Sequence, residues 1–175
     1  MLFRSLYLLH WRGGVPFAET LEAFDALRRA GKIRHYGVSN LDLNDMQAWW
    51  RGGGTACATN QVLYNLTRRG IEWDLLPWLN EKRVPVMAYS PLEQARLFKN
   101  TKFVALAKAW GMAPSQLALA WLLKNDNMMV IPKCSSPERV VENAAARDIA
   151  LNAAQLAELD QLFPPPTGPS PLEML

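Results

Sequence analysis

The sequence has few of the residues that build metal sites and disulfide frameworks. It contains two cysteines and two histidines in 175 residues. Cys57 and Cys134 lie far apart without CxxC spacing, so we predict no metal site, and reduced thiols are typical of a cytoplasmic protein. No apolar run approaches the roughly 20 residues of a membrane span, and no small-residue cleavage site follows the first residues. We therefore expect neither a membrane segment nor a signal peptide.

The charge pattern also lacks the features of a nucleic-acid-binding surface. The net charge is only +3, and the densest basic stretch, LRRAGKIRHYG, covers residues 27–37. This stretch is typical of a solvated helix end, and basic and aromatic residues do not alternate as they do on base-stacking surfaces. We therefore predict no nucleic-acid partner.

What the sequence does contain is a regular alternation of short aliphatic runs and longer amphipathic stretches. The amphipathic stretches carry helix signals, such as Asp42, Ser136 and Asn152 as N-caps and Gly31 as a stop. Such alternation predicts right-handed βα units and a parallel sheet, that is, an α/β fold. The five predicted strands cover residues 5–11, 35–40, 56–62, 84–92 and 127–133.

Two architectures satisfy this alternation: an open doubly wound sheet and a (β/α)8 barrel. A dinucleotide-binding open sheet needs GxGxxG after its first strand, whereas the glycine cluster at residues 52–55 precedes a strand. A barrel places its reacting groups at the carboxyl ends of its strands. Polar or aromatic pairs end all five predicted strands: His10-Trp11, Ser39-Asn40, Asn60-Gln61, Tyr89-Ser90 and Pro132-Lys133. This pattern favours the barrel, although a closed barrel needs eight strands and five are found.

Most of these strand ends also have a structural interpretation. A lone histidine such as His10 is more often structural than catalytic, although an imidazole can polarise a carbonyl near neutral pH. Ser39 and Asn40 fit either an ordinary turn or a site that recognises an amide. The ring of Tyr89 fits either the core or a stack on an aromatic cofactor.

The segment IPKCSSPERVVEN carries the strongest functional signal. Lys133, the hydroxyls of Ser135 and Ser136, and Arg139 all lie around the start of one predicted helix. Cations and hydroxyls at a helix N-terminus predict an anion site, and an arginine can also stack on a purine. The alternative is an ordinary solvated helix start.

Five motifs in this order together resemble the aldo-keto reductases: LYLLHW, GKIRHYGVSN, NQVLYN, VMAYSPL and IPK…SPERVVEN. The similarity covers about residues 5–163 and matches the second half of family members. The resemblance therefore implies a partial (β/α)8 TIM barrel of about five βα units, strands 4 to 8, with the first three missing. It implies an incomplete NADP-dependent oxidoreductase domain at residues 1–163, followed by a Pro-rich tail at residues 164–175 that we expect to be loose.

The resemblance also implies roles for single residues. His10 matches the histidine of a catalytic Asp, Tyr, Lys and His tetrad, and Trp11 matches a substrate-pocket residue. The other matching positions bind NADPH in the family. The nicotinamide site is matched by Ser39, Asn40, Gln61 and Tyr89, and the pyrophosphate loop is matched by Ser90, Leu92 and Gln94. The 2′-phosphate pocket is matched by Lys133, Ser135, Ser136 and Arg139, and the adenine site is matched by Glu142 and Asn143.

The chain departs from the family pattern at several positions. The family's SPLG is SPLE here, so Glu93 stands beside the expected pyrophosphate, and Cys134 replaces a serine. No residue can be assigned to the tetrad's Asp, Tyr or Lys. The implied function is NADPH-dependent reduction of an aldehyde or ketone by hydride transfer, weak or absent in this chain alone. The alternatives are a non-catalytic nucleotide-binding or regulatory subunit and a truncated gene product.

The implied partners are a small carbonyl substrate and either a second copy of the chain or the missing half of the barrel. Association is expected because the first and fifth strands of a half-barrel have unpaired edges and exposed apolar faces.

Overall fold

Five parallel strands form a single sheet in a computed structural model that describes residues 4–175. Residues 1–3, which the predicted domain 1–163 includes, lie outside the described part of the chain. The sheet confirms the predicted α/β class with parallel strands. Each strand pairs with the next one along the chain, in the order β1 (Arg4–Leu9), β2 (Ile33–Ser39), β3 (Asn60–Leu63), β4 (Val86–Tyr89) and β5 (Met128–Val130).

Seven α-helices occur in the described residues, and they connect or follow the strands. Five of them lie between strands: α1 (Phe17–Arg29), α2 (Leu43–Arg51), α3 (Leu75–Lys82), α4 (Thr101–Ala109) and α5 (Pro114–Leu123). Two follow the last strand: α6 (Pro137–Ala145) and α7 (Ala153–Leu162).

The predicted caps account for several helix ends. The side chains of Asp42 and Asn152 accept backbone N–H bonds at the starts of α2 and α7, at 2.8 and 2.9 Å. Ser136 makes the same contact at the start of α6, with a longer distance of 3.4 Å. Gly31, just after α1, has a φ of +66°, a conformation that glycine adopts without a steric cost.

The last two strands are shorter than predicted, since β4 and β5 end at Tyr89 and Val130 rather than at residues 92 and 133. Two predicted starts are also wrong. The strand predicted at 56–62 starts at Asn60, because Gly54–Ala56 instead form a 3₁₀ turn whose Gly54 carbonyl accepts the Trp49 indole N–H at 3.1 Å. The amphipathic stretch TRRGIEWDLLPWLNEKR predicts a helix at roughly residues 71–83, but α3 starts at Leu75, because Gly70–Glu72 form a second 3₁₀ turn before the cap. In both places a short turn precedes the regular element, and hydrophobic periodicity does not distinguish the two.

The core lies between the sheet and the helices. An aromatic cluster joins β2 to α1 and α2, where Tyr36, Phe24 and Trp49 stand 5.2 to 6.1 Å apart between ring centroids. Helix α5 is buried along most of its length, and its Trp121 packs on Tyr64 at 5.5 Å. This packing holds the carboxyl ends of the strands, where the candidate site lies, on a rigid base.

The expectation of a loose tail is wrong. Residues 164–175 contain no helix, but they dock on the protein through an ion pair of 2.6 Å between Arg68 and Glu173. Leu172 is partly buried against the core. The tail lacks internal regular structure, so these contacts with the rest of the chain position it. Within residues 4–175, no helix is long and apolar enough to span a membrane.

Candidate functional site

The strands are staggered, and this stagger decides which side chains meet. Gln61 was predicted to end β3, but it is the second residue of that strand and pairs in register with Ser39, the last residue of β2. Two residues further along β3, Leu63 pairs with Tyr89, the last residue of β4. Staggered register is a property of sheets that curve into barrels. It brings Gln61 level with the end of the neighbouring strand β2.

A small cavity of about 240 Å³ lies at this edge of the sheet. It brings together six residues that were predicted to form the catalytic and nicotinamide-binding parts of a site. They come from four different strands or strand ends: His10, Trp11, Ser39, Asn40, Gln61 and Tyr89. Leu175, from the C-terminal segment, also lines the cavity.

Asn40 connects the ends of three strands within this cavity. Its side-chain Nδ2 donates to the backbone carbonyl of His10 at 3.2 Å, and its Oδ1 accepts from the Tyr89 hydroxyl at 3.2 Å. Its φ is +56°, a left-handed conformation that asparagine tolerates better than most residues. Ser39 donates its hydroxyl to the Gln61 carbonyl at 2.8 Å, so toward a ligand this oxygen acts as an acceptor.

The aromatic side chains of the small cavity are accessible. The His10 and Trp11 rings stack at 4.3 Å with 28° between their planes, and both residues are exposed. Tyr89 is half-buried, and burial raises the pKa of its hydroxyl, while a hydrogen bond with the Leu175 backbone opposes that rise. The hydroxyl therefore stays neutral and can donate a hydrogen bond at neutral pH.

A larger, open cavity of about 990 Å³ begins next to the small one, at Ser90. The loop after β4, the segment after β5, the start of α5 and one side of α6 line it. Seven residues predicted to bind the cofactor line it: Ser90, Leu92, Gln94, Lys133, Arg139, Glu142 and Asn143. The prediction is wrong for Ser135 and Ser136, which do not line it; the Ser136 hydroxyl instead caps α6.

The electrostatics of the large cavity suit an anion. Lys133 and Arg139 supply two cations beside the N-terminus of α6. In the first turn of that helix, hydrogen bonds from its own backbone amide and from the Ser136 hydroxyl hold the pKa of the Glu138 carboxyl below its ordinary value. This shift is the behaviour of a helix N-terminus that stabilises negative charge. Residues of this type can hold the phosphate groups of a nucleotide cofactor.

Glu93 does not face this cavity. The residues on both sides of it in the loop line the cavity, whereas the Glu93 side chain is buried behind the loop against Asn65 and Arg68. The unfavourable contact between a carboxylate and a pyrophosphate is therefore avoided. Cys134 does line the cavity, in the position where the family has a serine.

Several lining residues were not foreseen from the sequence. Ser115, at the start of α5, donates a hydrogen bond to the Glu142 carboxylate, and Gln116 donates to the Glu142 carbonyl at 3.3 Å. Leu175 reaches the small cavity from the tail. Only the APSQ helix start was visible in the sequence as a signal for Ser115, and no local pattern indicated where the tail would lie.

No cluster of three or more potential metal ligands exists among residues 4–175. The site consists of a cationic, nucleotide-sized cavity that adjoins a smaller cavity containing an imidazole, an aromatic ring and amide groups. Such a pair can orient a bound organic cofactor against a small polar substrate.

Comparison with known proteins agrees with this geometry. A model of the aldo/keto reductase family matches residues 5–163. The chain is 47% identical, over 99% of its length, to methylglyoxal reductase YeaE of Escherichia coli, and 29% identical to glyoxal reductase of Bacillus subtilis. It spans 63% and 62% of the lengths of these relatives.

Solved structures show the same similarity. An aldo-keto reductase from Klebsiella pneumoniae in complex with NADPH superposes with a TM-score of 0.95 at 51% identity, over 99% of this chain and 63% of that one. A thermostable aldo-keto reductase in complex with the inhibitor epalrestat superposes with a TM-score of 0.85 at 36% identity, over 91% of this chain and 60% of that one. The match over residues 5–163 and these identities establish that the chain belongs to the aldo/keto reductase family of oxidoreductases.

Proposed function

We propose that this chain binds NADPH and takes part in the reduction of a small aldehyde or ketone. The observation that carries the proposal is the junction of the two cavities at Tyr89 and Ser90. The names of the relatives, a methylglyoxal reductase and a glyoxal reductase, support a small dicarbonyl aldehyde as the substrate.

The large cavity would hold the adenosine end of the cofactor. Lys133 and Arg139 can neutralise a 2′-phosphate, and an arginine can also stack on the adenine ring, which favours NADPH over NADH. The loop residues Ser90, Leu92 and Gln94 line the large cavity, and Ser90 directly follows Tyr89 of the small one, so a pyrophosphate would lie along this loop. The chemistry of this donor set fits a phosphorylated dinucleotide.

The small cavity would hold the nicotinamide and the carbonyl. NADPH supplies a hydride when it is bound. Tyr89 offers a ring for stacking, the Ser39 oxygen can accept from a carboxamide, and the Gln61 amide can both donate and accept. An imidazole N–H of His10 can donate to the substrate oxygen and orient the carbonyl.

The sheet is proposed to correspond to strands 4 to 8 of the family barrel, within a domain at 1–163 followed by the tail at 164–175. No residue of this chain matches the tetrad's Asp, Tyr or Lys, so we propose that the chain alone is weak or inactive. A cytoplasmic location is part of the proposal, and Cys57 and Cys134 are both free thiols, as expected there.

Association through the sheet edges is also proposed. Strands β1 and β5 are the edges of the sheet that the described residues form, and exposed apolar side chains accompany them: Tyr7 and Trp11 near β1, Met129 and Ile131 near β5. Light scattering is expected to give a particle larger than one chain, and a stable, monodisperse monomer would contradict this expectation.

The experiment that tests the function combines cofactor binding with turnover. Titration with NADPH and with NADH, followed by tryptophan fluorescence, is expected to show tighter binding of NADPH. The double variant Lys133→Ala, Arg139→Ala is expected to abolish that preference, whereas Lys102→Ala, an exposed lysine on α4, is the matched control. Failure of the wild-type chain to bind NADPH would refute the proposal.

Turnover is measured as NADPH oxidation with methylglyoxal. Weak or absent turnover alone, restored by a fragment that carries the Asp, Tyr and Lys of a relative, is the expected result. Tight NADPH binding without turnover even after that addition would favour the alternative of a non-catalytic nucleotide-binding subunit.

A further inference from the structure

The loop after β4 adopts a backbone conformation that its sequence does not favour. Four non-glycine residues in this loop have left-handed φ angles of +47° to +65°: Ser90, Glu93, Gln94 and Ala95. Each such angle costs free energy for any residue with a side chain. The loop lines the large cavity, so interactions elsewhere must stabilise the shape in which it does so.

The buried Glu93 carboxylate supplies that stabilisation. Glu93 is 4% exposed. Its Oε2 accepts from Asn65 Nδ2 at 2.8 Å, and the same nitrogen donates to the Ser90 carbonyl at 2.9 Å. Its Oε1 accepts from Arg68 at 3.2 and 3.3 Å and pairs with Arg96 at 3.0 Å. Asn65 and Arg68 follow β3, so these bonds tie the loop to the neighbouring strand.

The charge state of Glu93 agrees with this role. Burial alone would raise the pKa of the Glu93 carboxyl, but hydrogen bonds from Asn65 and Arg68 and the charges of Arg68 and Arg96 outweigh it. The pKa therefore lies below its ordinary value, and the group is ionised at neutral pH. A buried ionised carboxylate holds its donors in place because leaving it unpaired is costly.

The Arg68 guanidinium is shared with the C-terminal segment. Its Nη1 donates to Glu173 Oε1 at 2.6 Å, while its Nε and Nη2 face Glu93. Glu173 lies two residues before Leu175, which lines the small cavity beside Tyr89. A planar guanidinium with donors on two edges fixes the relative placement of two carboxylates, which an ammonium cannot do.

We propose that Glu93 and Arg68 are positioning residues that couple the loop of the large cavity to the placement of the C-terminal segment over the small cavity. The proposal rests on the proposed function in one respect, that the ligand of the large cavity is NADPH. A ligand that binds only the left-handed loop favours the state in which Glu93 meets Arg68. That state orients Arg68 toward Glu173. Ligand binding therefore favours docking of the C-terminal segment, and docking of that segment favours ligand binding by the same factor.

The test is a double-variant cycle on the full chain with Glu93→Gln, Glu173→Gln and both together. Glu93→Gln keeps the shape of the side chain but loses its charge, and we expect it to weaken NADPH binding roughly tenfold. Glu173→Gln is expected to weaken it about two- to threefold, since this ion pair is partly exposed. In the Glu93→Gln background, Glu173→Gln is expected to have no further effect. Glu158→Gln removes one exposed carboxylate from α7 and is the matched control.

Amide hydrogen exchange tests the coupling without any cofactor. Glu93→Gln is expected to speed exchange both in residues 90–96 and in residues 168–175, and Glu173→Gln is expected to do so in both segments as well. Glu173→Gln lies at the surface and does not depend on tolerance of the core, so this arm remains informative if Glu93→Gln fails to fold. Arg68→Lys is expected to reproduce the exchange effects, because a lysine cannot bridge both carboxylates.

The outcomes separate the two proposals. If the wild-type chain does not bind NADPH but exchange in the two segments changes together, the proposed function fails and the coupling stands. If NADPH binds but each variant changes exchange only in its own segment, or the two effects on affinity multiply independently, the coupling is overturned.

Discussion

Asn40 is predicted to stabilise the candidate site through two separate effects, which substitutions can resolve. Its side chain makes two partly exposed hydrogen bonds, to His10 and Tyr89, each contributing about 0.5 kcal/mol. Its φ of +56° costs an alanine about 1 kcal/mol. Asn40→Ala is therefore expected to lower the free energy of unfolding by about 2 kcal/mol. Asn40→Gly also removes the two hydrogen bonds, but glycine adopts this φ without strain. It is therefore expected to lower the free energy of unfolding by only about 1 kcal/mol.

The assay is urea unfolding followed by the fluorescence of the seven tryptophans. Arg83 supplies a matched control, because it has nearly the same φ of +55° and an exposed side chain at the end of α3. Arg83→Ala and Arg83→Gly should also differ by about 1 kcal/mol, which measures the backbone effect alone. Equal stabilities for Asn40→Ala and Asn40→Gly, with a normal difference at Arg83, would refute the assignment of backbone strain to Asn40.

Three further predictions concern the core and the thiols. Gly54→Ala would place a Cβ 2.1 Å from Trp49 Nε1 and is expected to destabilise the fold by about 3 kcal/mol. Gly52→Ala is the control: its Cβ would lie 3.4 Å from the nearest atoms, so it should change stability by less than about 0.5 kcal/mol. Thermal unfolding of the two variants tests this difference. Burial raises the pKa of the Cys57 thiol to about 11, so the folded state retains a proton that the unfolded chain releases. Between pH 9 and 11, the free energy of unfolding should therefore fall by about 2 kcal/mol more in the wild type than in Cys57→Ala. Iodoacetamide should label Cys134 first, and NADPH should protect it; equal labelling of both thiols in the folded protein would contradict this reasoning.

The fold class and most helix ends could be predicted because they depend on local chemistry. The caps at Asp42 and Asn152 act within three residues of chain, so their sequence signals carry most of the necessary information. Pro114 is another local signal, because a proline is favoured in the first turn of a helix, and it occupies the first turn of α5. The short 3₁₀ turns before β3 and α3 were missed because they have no periodicity of their own.

The sequence predicted most of the residues that line the two cavities, but not the contacts between them. The family motifs placed His10, Tyr89 and Lys133 at strand ends, and the structure gathers these residues in two adjoining cavities. The motifs did not show that Asn40 joins three strand ends, since its partners lie 30 and 49 residues away. They also placed Gln61 at the wrong position in its strand, because register depends on how neighbouring strands pair.

The sequence by itself determined the alternation of strands and helices, the parallel sheet and the family, because hydrophobic period, capping residues and ordered motifs are local properties. The tertiary structure alone decided that the Glu93 carboxylate turns away from the large cavity and that the tail docks beside the small one. Both results depend on Arg68, which lies 25 residues from Glu93 and 105 from Glu173. A charge is buried only where distant donors converge on it, and the folded chain alone provides that convergence.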